Sequence, residues 1–124
     1  MTIKEVSEKY EISQDTLRYY ERVGMIPPVT RTASGIRDYQ ESDLGWVELA
    51  KCMRSAGLPV EVMIEYVKLT QEGDATIPAR LQLLKEQRES LLEQKEKINA
   101  TLERLNYKIG RYELAAETGV LTWE

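Results

Sequence analysis

One stripe of residues near the C-terminus limits what this chain can become. Leu81, Leu84, Arg88, Leu91, Lys95, Ile98, Leu102, Leu105, Ile109 and Tyr112 are spaced alternately three and four apart, and eight of the ten are apolar. In a chain that is 42% hydrophobic, chance would fill about four of them. An apolar stripe of period 3.5, sustained over five heptads, predicts a coiled-coil helix over residues 77–112. Ile77 extends the stripe backwards. One such helix would span roughly 54 Å at ~1.5 Å per residue, more than a preceding module of about 70 residues can bury. It needs a partner, and the simplest partner is a second copy of the chain. Leu81, Leu84, Leu91, Ile98, Leu102, Leu105, Ile109 and Tyr112 are therefore the expected dimerisation residues. Arg88 and Lys95 stand near the middle of the stripe. In a parallel pair each would meet its own copy and repel, whereas an antiparallel pair can offset them toward Glu89 or Glu96, so the antiparallel arrangement is favoured.

Composition removes several classes of function. Histidine is absent and cysteine occurs once, so neither a Ser-His-Asp nor a Cys-His nucleophilic pair can be built. A tetrahedral zinc site, which usually takes four Cys or His ligands, has no set within the chain. The seven glycines are scattered and form no phosphate loop. No carboxylate pair is marked by spacing, and no enzyme is expected, nor any cofactor or metal. No apolar run approaches the roughly 18 residues of a membrane span. The start, Met1-Thr2-Ile3-Lys4-Glu5, has no signal-peptide pattern. With a lone cysteine, this implies a cytoplasmic protein without an internal disulfide or membrane partner.

Net charge is −4, which does not itself announce a nucleic acid. Distribution matters more than the total. Residues 1–40 carry six basic and six acidic groups, and all four arginines there (Arg18, Arg22, Arg31, Arg37) lie between 18 and 37.

Three segments follow: 1–72, 76–112 and a tail, 113–124. Thr2 and Glu5 have the form of a capping box ahead of Ile3, Val6 and Tyr10 at helical spacing. Ser13 is a second cap, with Asp15 in the first turn, for a helix from about Gln14 to Val23 that stops at Gly24. Only Glu11-Ile12 separates the two patterns, which predicts a helix-turn-helix. Met25 to Tyr39 reads as a small two-stranded wing with Ser34-Gly35 near its tip. Residues 42–72 predict two helices split at Gly57, with Pro59 opening the second. Leu44, Val47, Ala50 and Met53 supply one inner face, and Val60, Met63, Ile64 and Val67 the other. Thr76 is the expected cap of the last helix, with Pro78 in its first turn. The fold expected is mainly α: an N-terminal winged helix-turn-helix, a helical pair, and a long C-terminal dimerisation helix.

On the second helix, Leu17 and Tyr20 suit an inner face. Arg18 and Arg22 share the opposite face, with Tyr19 beside them. Gln14 and Thr16 lie near the N-terminus, where a recognition helix presents side chains to bases. Gln and Arg can pair bidentately with adenine and guanine, while Thr and Tyr suit phosphates or methyl groups. Local chemistry alone leaves this face equally open to being merely solvated.

The order Thr16-Leu17-Arg18-Tyr19-Tyr20-Glu21, Gly24-Met25-Ile26-Pro27-Pro28, Arg31-Thr32, Ser34-Gly35-Ile36-Arg37-Asp38-Tyr39 and Asp43-Leu44 resembles the winged-helix N-terminus of MerR-family transcription regulators. The likeness covers about residues 1–70, and the long helix also belongs to that architecture. The resemblance implies a homodimer on double-stranded promoter DNA, clasped by an antiparallel coiled coil, with each second helix in a major groove. It makes Arg18 and Tyr19 recognition-helix contacts, lets Tyr20 both pack and reach a phosphate, and assigns Arg37 and Tyr39 to the sugar-phosphate backbone. Arg31 is a weaker candidate. Ile36 stands where the family commonly has Tyr, and Gln40 where a Ser is frequent, leaving Ser42 as the expected third-helix cap. The resemblance also implies activation by bending and untwisting an overlong promoter spacer for RNA polymerase.

The signal is less constrained. In the family that the chain resembles, large drug-sensing members append a folded ligand domain after the coiled coil, for which residues 113–124 are too few. Metal-sensing members use two or more cysteines, often at the end of the long helix, where this chain has none. Cys52 remains, at the edge of the third helix's inner face between Lys51 and Met53, with Arg54 nearby. Adjacent cations favour a thiolate, while the helix C-terminus disfavours it. The chain resembles the short, single-cysteine branch that answers aldehydes and other thiol-reactive stress. Three alternatives stay open: Cys52 as a plain packing residue, a small organic ligand held beside the coiled coil, and a coiled-coil assembly module without DNA binding.

Overall fold

Local signals set where the first helices begin and end. The computed structural model describes residues 1–123. α1 (Ile3–Tyr10) starts at a closed capping box: Thr2 Oγ1 accepts the Glu5 N–H at 3.1 Å, and Glu5 Oε1 accepts the Thr2 N–H at 3.0 Å. Those bonds hold the Glu5 carboxyl below its ordinary range. α1 stops at Glu11, whose φ of 55° puts a non-glycine residue in the left-handed region. α2 (Gln14–Val23) opens with Ser13 Oγ accepting the Thr16 N–H at 3.0 Å. It closes at Gly24, whose φ of 87° lets the chain reverse and return the Met25 N–H to the Tyr20 carbonyl.

α3 (Glu41–Ser55) and α4 (Val60–Gln71) form the helical pair, with Gly57 between them and Pro59 as the cap of α4. The cap of α3 is Gln40, not Ser42. Asp43, three positions into the helix, turns back so that Oδ2 accepts the Gln40 N–H at 2.8 Å and the Thr30 N–H at 3.4 Å. One buried carboxylate thereby ties the base of the wing to the helix start.

The segment between α2 and α3 folds as a hairpin held by a single antiparallel bridge, Arg31 to Arg37, rather than as two extended strands. Asp38 N donates to Thr30 O at 2.7 Å, Thr32 N to Ile36 O at 2.8 Å and Gly35 N to Thr32 O at 2.9 Å. So short a ladder follows from a turn that begins at Thr32, where Gly35 takes a φ of 87°.

The chain divides into two compact units, Met1–Lys85 and Glu86–Glu124. In the first, Val6, Leu17, Met25, Ile26, Tyr39, Val47, Ala50 and Met63 form a core of essentially inaccessible side chains. Leu44, Met53, Val60 and Ile64 pack half-buried around it. Fully burying a side chain such as Leu17 or Val47 contributes about 1.5–3 kcal/mol. Trp46 pairs with Tyr66 at 5.7 Å between ring centroids, joining α3 to α4.

A short 3-10 turn, Asp74–Thr76, leads into α5 (Ile77–Thr118), six residues longer than the stripe predicts. Thr76 does not cap α5 in the expected way. Its hydroxyl donates toward the carbonyls of Leu69 and Gly73 and accepts from Arg80 Nε, so it closes the end of α4 instead. In the second unit the tail folds back on α5. Tyr107 Oη donates to the Trp123 carbonyl at 2.6 Å and Arg111 Nε to the Thr122 carbonyl at 2.7 Å. The Trp123 ring meets Tyr112 edge-on at 5.8 Å, which gives this tryptophan its C-terminal contact. No helix among the described residues is long and apolar enough to cross a membrane.

Candidate DNA-reading face

Because Leu17 and Tyr20 point into the core, the opposite side of α2 is turned outward. Gln14, Arg18 and Arg22, four apart, run along it. Arg18 is held rather than loose: Nη1 reaches Asp15 Oδ1 at 3.0 Å and Nη2 reaches Gln14 Oε1 at 3.3 Å. Its side chain remains 44% exposed. A guanidinium oriented by two neighbours one turn back loses less freedom when it meets a base edge. The Arg22 guanidinium lies 5.5 Å from the centroid of Tyr19, itself partly exposed, a cation–π stack that holds both side chains on the outer face. Thr16 sits at the first turn, its hydroxyl accepting from Ser13.

The wing arginines are organised by a residue that reading the sequence did not single out. Glu21 Oε1 accepts from Arg37 Nε at 2.7 Å and lies 3.5 Å from Arg31 Nη2, while Oε2 accepts the Val29 N–H at 2.7 Å. Its position carried a signal. Glu21 stands four residues after the core residue Leu17, so its carboxylate had to lie near the inner face and find a cation there.

One expected contact is corrected. Tyr39 is 2% exposed and its hydroxyl is buried without a hydrogen-bond partner among the described residues, so it is a core residue rather than a hand on the sugar-phosphate backbone. Tyr20 is likewise buried at the inner face, which makes packing its first role. Burial pushes both phenols above their ordinary pKa. The apolar Ile36 side chain projects from the wing tip, 64% exposed.

Cys52 is a free, exposed thiol on α3. The cations beside it in sequence have other partners: Lys51 Nζ donates to the Tyr10 carbonyl at the end of α1, and Arg54 Nη1 to the Leu58 carbonyl at 2.6 Å. On α5, seven of the eight expected dimerisation residues are solvent-exposed, from Leu84 at 37% to Ile98 at 60%, and Leu91 is half-buried.

A short helix, a tight turn, an outward-facing second helix and an arginine-bearing hairpin define a winged helix-turn-helix DNA-binding protein. The family profile described as MerR HTH family regulatory protein matches residues 1–69. The chain belongs to the MerR family of DNA-binding transcription regulators. It is 53% identical to the HTH-type transcriptional regulator AdhR of Bacillus subtilis over 93 residues, which cover 75% of this chain and 66% of that relative. A crystal structure of a MerR family transcriptional regulator from Listeria monocytogenes superposes with a TM-score of 0.91 at 43% identity, covering 96% of this chain and 90% of that one. HiNmlR, described as a MerR family regulator lacking the sensor domain, bound to promoter DNA, superposes with a TM-score of 0.86 at 32% identity, covering 95% and 94%.

Proposed function

We propose that this chain acts as a homodimer that reads promoter DNA through α2 and the wing and is switched by covalent modification of Cys52. The observation that carries the DNA reading is the outer face of α2, where Arg18, Tyr19 and Arg22 are exposed and Gln14 half-buried, with Arg18 braced by Gln14 and Asp15 and Arg22 stacked on Tyr19. Gln14, Arg18 and Tyr19 address bases in this reading, while Thr16, Arg22, Arg31 and Arg37 address phosphates. The likeness to HiNmlR, described as bound to promoter DNA, supports the same use of this fold.

The dimer reading rests on the exposed apolar stripe of α5, which costs free energy in water unless a second helix covers it. Arg88 already lies 3.7 Å from Glu89 on its own helix, so the antiparallel preference turns mainly on Lys95. Two reading heads fixed to a rigid dimer favour DNA whose half-sites they can reach together, and bending or untwisting DNA to meet them couples binding to promoter geometry. RNA polymerase then acts on the reshaped promoter.

In the switching step the Cys52 sulfur adds to an electrophilic carbon such as an aldehyde carbonyl. A C–S bond forms as the carbonyl π bond breaks, and the proton lost from the thiol ends on the former carbonyl oxygen. Its exposure admits such a reagent. For control by a small ligand, the groove beside Ser42, Gly45, Trp46, Leu49 and Tyr66 measures about 250 Å³, whereas a groove on α5 lined by Ala100, Glu103, Arg104, Tyr107 and Lys108 measures about 520 Å³, within the ~300–1,000 Å³ of ordinary ligand pockets.

The test is to select a duplex from a randomised library with the full chain and measure stoichiometry and bend by sedimentation and fluorescence transfer. Two chains per duplex, with the DNA ends drawn together, are expected. One chain per duplex, or straight DNA, contradicts the dimeric distortion mechanism.

A further inference from the structure

Glu21 joins the reading helix to the wing. Its carboxylate is 10% exposed, while the Arg37 and Arg31 side chains that meet it are 24% and 43% exposed. Arg31 is also fastened to the wing turn, with Nη1 donating to the Gly35 carbonyl at 3.0 Å. The second carboxylate oxygen is used by the Val29 N–H, so the acid is tied to the wing through backbone as well as side chains.

A carboxylate beside a DNA-facing surface works against raw affinity, because it offsets a charge that would otherwise attract phosphate. Its placement makes sense if orientation matters more than attraction. Arginines on an untethered hairpin can reach phosphates whatever the register of the helix on the bases. Arginines held against α2 can reach them only at one offset from the bases that α2 contacts. We infer that Glu21 is a specificity-determining positioning residue. It aims Arg31 and Arg37 relative to α2 and offsets one of their two charges, so non-specific binding is weakened more than specific binding. The inference rests on the reading in which α2 and the wing bind duplex DNA together.

The experiment compares the full chain with Glu21→Gln and Glu21→Asp on two probes: a duplex selected from a randomised library by the unmodified protein, and the unselected library itself. Glutamine keeps an oxygen for the Val29 N–H and removes the charge. Binding of Glu21→Gln to the unselected library is expected to tighten, with a log–log salt slope steeper by up to about 0.9, the value for one more neutralised phosphate. Its preference for the selected duplex is expected to fall at least about tenfold, or 1.4 kcal/mol. Aspartate keeps the charge but is one methylene shorter. Glu21→Asp should therefore lose preference while its salt slope stays that of the parent.

A merely structural glutamate would lower both affinities together through the folded fraction, leaving preference and slope unchanged, and that result overturns the inference. Should Glu21→Gln fail to fold, Arg37→Gln decides. The inference requires it to weaken the selected duplex more than the library, and equal losses overturn it. If the unmodified protein itself shows no preference, the DNA-reading function fails and takes the inference with it. A parent with clear preference and an unchanged Glu21→Gln variant defeats the inference alone.

Discussion

Tyr10 donates its phenol hydrogen to the Glu48 carboxylate at 3.0 Å, bridging 38 residues of sequence between the end of α1 and the middle of α3. Lys51, one turn further along α3, donates to the Tyr10 backbone carbonyl. α1 is therefore clamped to α3 by side chain and main chain of one residue, and that clamp sets the platform on which α2 is held. Tyr10→Phe is expected to lower stability by about 1–2 kcal/mol, since a hydrogen bond to a charged acceptor is lost and the ring stays in place. Urea denaturation of the two proteins checks it. An unchanged midpoint would make the bond ornamental.

Tyr39 is predicted to behave oppositely. Its hydroxyl is buried and unpartnered among the described residues, so Tyr39→Phe should leave stability unchanged or raise it by about 1 kcal/mol. Burial raises the Tyr10, Tyr20 and Tyr39 phenols above the ordinary value of 10.0, and at Tyr10 the bond to Glu48 adds to the shift. The folded state thus holds these protons more tightly than the unfolded chain does. Their contribution is fully present below pH 10.0 and is lost as pH rises through the raised folded values. Urea midpoints measured from about pH 8 to about pH 11 should fall at the alkaline end, and fall less in Tyr39→Phe.

These two tyrosines mark how far the sequence could be read. Caps and stops were legible because each depends on neighbours within a turn: Thr2 with Glu5, Ser13 with Thr16, and Gly24 at the end of α2. The inner faces of α3 and α4 were legible from period alone. Tyr39 was not, since whether an aromatic next to a wing faces core or solvent depends on how the hairpin lies on α2 and α3. Gln40 is not legible as a cap because its strength comes from Asp43 reaching back with a carboxylate that also takes the Thr30 N–H from another segment. The role of Thr76 is not legible from spacing, because a hydroxyl before a helix can donate to a preceding helix end as readily as it can accept from the following one. The partners of Glu21 are not legible from its own helix because they lie 8 to 16 residues away on a hairpin.

The α5 stripe predicts a strong effect of one charge. Ile98 is 60% exposed near the middle of the apolar series. Ile98→Glu should weaken self-association by at least about tenfold, because each of two copies loses roughly 1.5–3 kcal/mol of burial. Sedimentation equilibrium reads the dissociation constant directly. A constant equal to that of the parent would place the dimer contact elsewhere.

Cys52 offers a separation of sensing from binding. Its thiol is exposed and outside the core, so Cys52→Ser should change stability and DNA affinity by no more than about 0.5 kcal/mol. Addition of an aldehyde or other thiol-directed electrophile should alter transcription from the bound promoter with the parent and have no effect with the variant. A response that survives Cys52→Ser would move the switch to a non-covalent ligand.

The measurement that bears most directly on the account is a competition titration of the parent and Arg18→Ala on a library-selected duplex and on unselected DNA, repeated across salt concentrations. Arg18 is aimed by Asp15 and Gln14 on the outer face of α2. The account predicts a loss of about 1–3 kcal/mol on the selected duplex and a smaller one on unselected DNA, the mark of a side chain that reads a base. Equal losses on both, or a parent that does not distinguish them, would contradict it.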